Sequence, residues 1–525
     1  MLDCIVIGAG PGGLVCTKEL LEQGLSNILC LEQAEDVGGV FGNTYDNLVL
    51  TSSTMLSMFS DFWVGDGNQQ TFWTKKEAVD YWKKYARHFN VFDRIRFNSK
   101  VTSVTPQEGE GWEVSLASGE TFLSKRVALA IGNNAVPNYP AWKNSLTEVK
   151  YSHSKEYRNA NEFVGKNVLV VGGGESGSDV ALQVSRVANK CWISLRSSTG
   201  WVAARRRAGK ILPDNLLNRI LWGIPRNYGP TLTKIEGFLS KRVFNEPINL
   251  TAVKLNEKVK AQNGIFGTYG TKTYSLPRAI VNHDCKVVGE ITKVEDGGRT
   301  LQTTEGEMLQ NVDAVVFSTG YKNYVSFLPE ELRQTDPRSL YKHMFHPKYQ
   351  DKIVWIGWAR PNFGSQFPVM EMQARLFSLV CTGEKILPTP AEMEKVICLD
   401  RATWLEQFEH NAHRIRSLVD YRRYMDNLAS LIGCQPPLWK YLFLHPRLWR
   451  RMVFGATQAI QYRLRGPGSK KSVAHEWLMK IPVGIPGPVI KDVLQKRLID
   501  DSLNTRLLPQ TPENIERIIT HTVSR

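Results

Sequence analysis

The chain opens on an apolar run without polar interruption, Cys4-Ile-Val-Ile7. It then breaks into Gly8-Ala-Gly10-Pro11-Gly12-Gly13 and continues as the helical pattern Leu14-Val-Cys-Thr-Lys-Glu-Leu-Leu21. A continuous short apolar run is what a strand covered on both faces of a parallel sheet requires. A second such run, Asn27-Ile-Leu-Cys-Leu-Glu32, ends in a carboxylate. The same succession recurs mid-chain as Gly165-Lys-Asn-Val-Leu-Val-Val171, Gly172-Gly-Gly174-Glu175-Ser176-Gly177, Ser178-Asp-Val-Ala-Leu-Gln-Val184 and Lys190-Cys-Trp-Ile-Ser-Leu-Arg196. Between 205 and 285 neither the helical nor the strand period is sustained, and Pro213, Pro225, Pro230 and Pro247 interrupt it, so irregular structure is predicted there. From Thr389-Pro-Ala-Glu-Met-Glu394 onward the pattern is mainly helical and starts with proline in the first turn.

These patterns predict an α/β fold with two Rossmann-like dinucleotide-binding domains, the second inserted into a split first, and a mainly helical C-terminal region. The first domain is placed at 1–150 and 315–385, the second at 151–314 with the insertion at 205–285, and the C-terminal region at 386–525. A chain of 525 residues exceeds one ordinary core, which agrees with several domains.

Each glycine has a task. Gly8 permits a tight turn, Gly10 lets backbone approach a pyrophosphate, and Gly13 lets the helix pack on the sheet, with Pro11 and Gly12 between them. Phosphates then meet a helix N-terminus, where free N–H groups and the helix dipole favour anions. Glu32, 19 residues beyond Gly13, can accept from both ribose hydroxyls, which points to FAD. Arg196 lies at the same spacing beyond Gly177 and favours the 2′-phosphate of NADPH; the plain alternative is a surface residue at a strand end. Arg205, Arg206 and Arg207 add positive charge nearby. The turn Glu35-Asp-Val-Gly-Gly39-Val40-Phe41-Gly42 is of the kind that covers a flavin. Two such sites imply hydride transfer from nicotinamide to flavin, chemistry that the cofactors carry. No metal-ligating or Ser-His-Asp constellation is required, and none is found: His475-Glu lacks a second histidine at metalloprotease spacing.

Composition narrows the setting. Eight cysteines without a CxxC pair fit a reducing, cytoplasmic compartment and argue against a disulfide reductase. No stretch approaches the roughly 20 apolar residues that span a bilayer, no signal peptide precedes the first strand, and the ending Ile518–Arg525 is too short and polar for an anchor. The net charge of +15 is uneven: Asn427 to His475 holds no acidic residue but eight Lys and Arg. Within it, aromatics interleave with the basic residues of 438–454. That segment reads either as a packed element with a basic solvated face or as a peripheral contact with an anionic membrane. Nothing resembles a nucleic-acid module.

Several further stretches carry a family likeness: Tyr151-Ser-His153-Ser-Lys-Glu-Tyr157, Val315-Val-Phe-Ser-Thr319-Gly320-Tyr321, Leu340-Tyr-Lys-His-Met-Phe345, Gly364-Ser-Gln366-Phe-Pro-Val-Met-Glu-Met-Gln-Ala-Arg375 and Gln461-Tyr-Arg-Leu-Arg-Gly-Pro-Gly468. From about residue 3 to 470 the sequence resembles the flavin-containing monooxygenases, animal-type members included. The aromatic–x–Gly pair that this family usually places before the histidine is degenerate here, in Ser145 to Tyr151. The resemblance implies that NADPH reduces FAD and that NADP⁺ stays bound. Oxygen then adds at flavin C4a, and the hydroperoxide passes one oxygen to a soft nitrogen or sulfur centre of a small molecule. It adds Thr319, Gly320 and Gln366 to the cofactor contacts, and gives His153 a structural role between the domains. One departure stands out. Six residues after Tyr45 the family carries an asparagine beside the flavin, and here that position is Thr51, followed by Ser52. Either hydroxyl can replace the amide, or both can simply bond turn backbone. Without that support the enzyme would release hydrogen peroxide as an NADPH oxidase. Baeyer–Villiger oxygenation of ketones and redox sensing without turnover are the other readings.

Overall fold

The computed structural model describes residues 1–65, 71–107, 111–196, 199–205, 212–244 and 246–483. The first apolar run is strand β1 (Cys4–Ile7), buried at every position. The glycine turn feeds helix α1 (Pro11–Glu22), whose first residue is proline, where no backbone donor is needed. Strands β2 (Ile28–Leu31), β3 (Ile95–Arg96) and β4 (Val127–Leu129) follow. They run parallel in the order β4-β1-β2-β3, and the register sets Val6 between Cys30 and Ala128. The continuous apolar run has a direct cause. Cys4 and Val6 face a helical core, while Ile5 and Ile7 face Trp112 and Val114 of a three-stranded antiparallel sheet on the other side.

The second unit repeats the plan. Strands β5 (Lys150–His153) and β6 (Asn167–Val171), helix α2 (Glu175–Ser185) and strand β7 (Lys190–Ser194) come first. Helices α3 (Gly229–Val243), α4 (Pro247–Glu257) and α5 (Ser275–His283) follow, then β8 (Lys286–Val288) and β9 (Ala314–Phe317). The sheet is parallel in the order β8-β7-β6-β9-β5, with Val170 between Ile193 and Val316. Two expectations are corrected. The described residues of 205–285 are not irregular throughout: they hold three helices, because Pro247 occupies the first position of α4 and Pro230 the first turn of α3, where proline starts a helix instead of breaking one. The return to the first domain is not at 315 either. β9 is the inner neighbour of β6, so the second unit runs through Phe317, and Lys150 already belongs to it.

The chain then re-enters the first sheet with β10 (Phe345–His346) and β11 (Gln350–Trp355), completing the order β10-β11-β4-β1-β2-β3. Helix α6 (Gln366–Cys381) packs on α1. The described part of the C-terminal region, up to residue 483, is mainly helical and begins at Pro390–Arg414, with Thr389 and Glu392 forming a reciprocal cap. Arg463 ties this region to the first unit. Its fully buried guanidinium donates to Ser60 Oγ (2.7 Å), Glu19 Oε1 (2.7 Å) and Glu371 Oε1 (3.0 Å). Among the described residues no helix is long and apolar enough to cross a membrane. Ile518–Arg525 lies outside them.

Candidate active site

The first cradle forms where β1 gives way to α1. Gly8 has φ +103°, and a Cβ there would lie 2.8 Å from the Ala130 carbonyl oxygen just beyond β4. A Cβ on Gly13 would lie 1.7 Å from Gly8 O, so the helix can start this close to the strand only without a side chain. Gly10 is the N-cap and makes no side-chain cap, and no acidic residue sits in the first turn, which leaves the N–H groups of α1 open to a phosphate. Pro11 and Gly12 are buried behind it. Gly39 packs against Gly10, with Val40 exposed beside it and the Phe41 ring 5.0 Å from that of Trp82. Buried Glu32 accepts from the Ala9 N–H (2.6 Å) and the Ala34 N–H (2.9 Å). Each carboxylate oxygen keeps a further lone pair for a ribose hydroxyl. These residues fit the adenosine diphosphate half of FAD.

The second cradle has the same geometry. Gly172 has φ +104°, and its Cβ would lie 2.5 Å from Ser318 O just beyond β9; that of Gly177 would lie 1.9 Å from Gly172 O. A Cβ on Gly174 would meet nothing within 4 Å, so open space lies before the uncapped start of α2. Glu175 lies in the first turn of α2, where its Oε1 accepts the Lys272 backbone N–H (3.3 Å). Ser176 is half-buried in the first turn. Arg196 is exposed just past β7 and makes no ion pair with a described residue. The arrangement fits NADPH, whose 2′-phosphate such an arginine receives. Arg205, expected beside it, instead donates to the carbonyls of Val49 (3.0 Å) and Leu50 (3.2 Å) and thereby anchors the segment that leads to Thr51. Arg206 and Arg207 lie outside the described residues.

Thr51 is half-exposed, and its hydroxyl makes no hydrogen bond to a described residue. Ser52 is placed differently. Its O–H donates to Gly364 O (2.9 Å) and its oxygen accepts from Lys272 Nζ (2.9 Å), so its proton is committed inside the protein. Of the two hydroxyls, that of Thr51 is the one not engaged by a described residue. Gln366 opens α6 close by in sequence, with Nε2 donating to Gly357 O (2.5 Å).

Two polar ties join the units on either side of this segment. Tyr45 donates to Asp179 Oδ2 on α2 (2.8 Å), while Thr273 (3.1 Å) and Ser275 (2.6 Å) donate to Asp179 Oδ1. Burial first, then the Asp179 charge, pushes the Tyr45 phenol well above its ordinary pKa, so it stays a donor. The other tie runs through Lys272 and Asp214. Sequence reasoning missed Asp179, Asp214 and Lys272, because each gains its meaning from partners far along the chain. His153 lies where the connection returns: its Nδ1 accepts from the Lys155 N–H (3.2 Å), so Nε2 carries the proton and donates to Gly320 O (3.1 Å). Burial holds its pKa below the usual histidine value. Thr319 donates to Asn138 O on the other connection.

Residues 3–483 match the family model described as flavin-binding monooxygenase-like. A 4-hydroxybenzoate brominase (decarboxylating) of Pseudoalteromonas luteoviolacea is 33% identical over 491 residues, covering 91% of this chain and 92% of that protein. Flavin-containing monooxygenase 5 of Mus musculus is 28% identical over 528 residues, 95% of each chain. Among solved structures, an NADP⁺-bound cyclohexanone monooxygenase from a Rhodococcus species superposes with a TM-score of 0.59 at 19% identity, over 82% of this chain and 97% of that one. That likeness is one of fold: two nucleotide-binding units in one chain.

Proposed function

The chain belongs to the flavin-binding monooxygenase-like family, and from that membership we propose that it uses FAD, NADPH and dioxygen to place one oxygen atom on a soft nitrogen or sulfur centre of a small molecule. The observation that carries this reading is the pair of matching glycine cradles with opposite charges, Glu32 and Arg196, at equivalent strand ends. When bound, the flavin accepts hydride from the nicotinamide and activates dioxygen. The protein's own residues hold the two dinucleotides, select the 2′-phosphate at Arg196 and offer the Thr51 hydroxyl to the activated oxygen. The test is FAD-loaded protein with NADPH under ¹⁸O₂ and a panel of tertiary amines, thioethers and ketones. One heavy oxygen in an amine or thioether product supports the reading. Lactone or ester from the ketone alone moves it to Baeyer–Villiger chemistry, peroxide alone makes an oxidase, and no NADPH oxidation in air removes it.

A second reading rests on the 33% identity to a brominase. Bromide is also a soft nucleophile. Transfer of one oxygen atom to it, with NADPH supplying two electrons and the other oxygen leaving as water, gives hypobromous acid that brominates an electron-rich phenol. Adding bromide and a phenol to the same panel separates the two. Peripheral membrane contact also belongs here as a proposal. Helices Leu438–Leu444 and Pro446–Phe454 bury Tyr441, Leu448 and Met452 but leave Trp439 74% and Phe443 77% exposed beside Lys440, Arg447 and Arg450. Salt-sensitive sedimentation with anionic vesicles is the expected result, and no binding at low salt discards it.

A further inference from the structure

Lys272 is a buried lysine that the proposed reaction does not use. Its ammonium donates to Ser52 Oγ (2.9 Å), to Gly364 O (2.9 Å) and, at longer reach, to Asp214 Oδ1 (3.4 Å). The other Asp214 oxygen accepts the Ser53 N–H (2.7 Å). The Lys272 backbone N–H meets Glu175 Oε1, in the first turn of α2. Lys272 therefore joins the second cradle to Ser52 directly, to Ser53 through Asp214, and to the carbonyl two positions before Gln366. A buried ammonium is costly to desolvate, and an apolar side chain of similar size is often as stable in such a place. Stability is then a weak reason for a lysine here, and geometry is the stronger one.

We propose that Lys272 is a positioning residue that locks the 51–53 turn to the second cradle, so that the Thr51 hydroxyl holds its place while the nicotinamide nucleotide is bound. The proposal rests on the proposed function, in which Thr51 stands beside the flavin. Lys272 makes and breaks no covalent bond. Where the turn is loose, oxygen already activated leaves untransferred: NADPH, a proton and O₂ become NADP⁺ and H₂O₂.

Three variants test this in the full chain. Lys272→Met with Asp214→Asn keeps the buried site neutral and guards against misfolding, and Lys272→Arg keeps the charge. The double variant is expected to reduce its flavin with NADPH anaerobically within about twofold of the parent, while peroxide released per NADPH rises about tenfold. Lys272→Met alone, which leaves the Asp214 acceptor of the Ser53 N–H in place, is expected to quicken amide exchange of the peptide containing Ser53, measured without flavin, by about tenfold and to remove its slowing by NADP⁺. Lys272→Arg is expected to restore most of both. Unchanged peroxide despite faster exchange overturns the proposal. So does flavin reduction that falls in step with peroxide rising, since that marks general damage. If the parent protein oxygenates nothing in the panel, the reaction assignment falls, and NADP⁺-dependent exchange at Ser53 still decides whether Lys272 joins the two sites.

Discussion

Arg196 stands exposed at a strand end with no described carboxylate to neutralise it, in the place where the first unit carries Glu32. Arg196→Ala is expected to raise KM for NADPH by about 10–100-fold with kcat within about twofold and KM for NADH unchanged, as steady-state rates would show. At Thr51 the hydroxyl has less reach than an amide. Thr51→Asn is expected to lower peroxide per NADPH about twofold or more, and Thr51→Val to raise it, read by coupled peroxide assay. His343 carries a pH dependence. Burial, then the charges of Arg338 and Lys342, push its imidazole down to about 3. The unfolded chain binds that proton near pH 6.5 and the native chain does not, so this contribution is complete above about 6.5 and is lost as pH falls toward about 3, by up to about 1.4 kcal/mol per pH unit. Denaturant midpoints are expected to fall between pH 6.5 and 4.5. His343→Asn, which tolerates the local φ of +55°, is expected to flatten that slope. The equal spacing of Glu32 and Arg196 from a glycine can be read in the sequence because it is local. Lys272 was not legible, since nothing in Thr271-Lys-Thr273 marks a cation whose partners lie at 52, 214 and 364.

Each nucleotide site is a strand, a turn and a helix held at contact distance by one glycine. A Cβ on Gly177 would collide with Gly172 O and push α2 off β6. Gly177→Ala is therefore expected to cut anaerobic flavin reduction by NADPH about a hundredfold while FAD content stays near that of the parent, because Gly13 and its cradle belong to the other sheet. The repeated element was readable from sequence because its signal is complete within about thirty residues. The helices between 212 and 283 were not. Ile235, Phe238 and Leu239 of α3 are about half-exposed, so no one-sided apolar stripe marks that helix. Nor did the apolar run Ala314–Phe317 disclose its sheet: its four buried residues read the same beside β6 as they would beside β4.

At the scale of the molecule, buried charge fastens the C-terminal region to the first unit. Burial alone would raise the Asp61 carboxyl, but Arg463 and Lys18 hold it well below the usual carboxylate range. Removing the guanidinium leaves Glu19, Asp61 and Glu371 with one fewer buried partner. Arg463→Met is expected to cost about 3–5 kcal/mol, seen as a lower unfolding midpoint by calorimetry. The split of the first sheet has a consequence for biosynthesis. Strand β4 takes β11 as its outer neighbour, so Val127 waits for Ile353 to leave the ribosome. Arg463 meets Glu19 across 444 residues of chain. At ordinary elongation rates the interval before β11 emerges is on the order of tens of seconds, long enough for an unpaired strand edge to meet another nascent chain. The second unit, whose strands all lie between 150 and 317, can close its sheet during that interval. Yield in a cell is thus expected to depend on chaperones that shelter the open edge of β4, and a chain ending before residue 345 is expected to aggregate whatever its intrinsic stability.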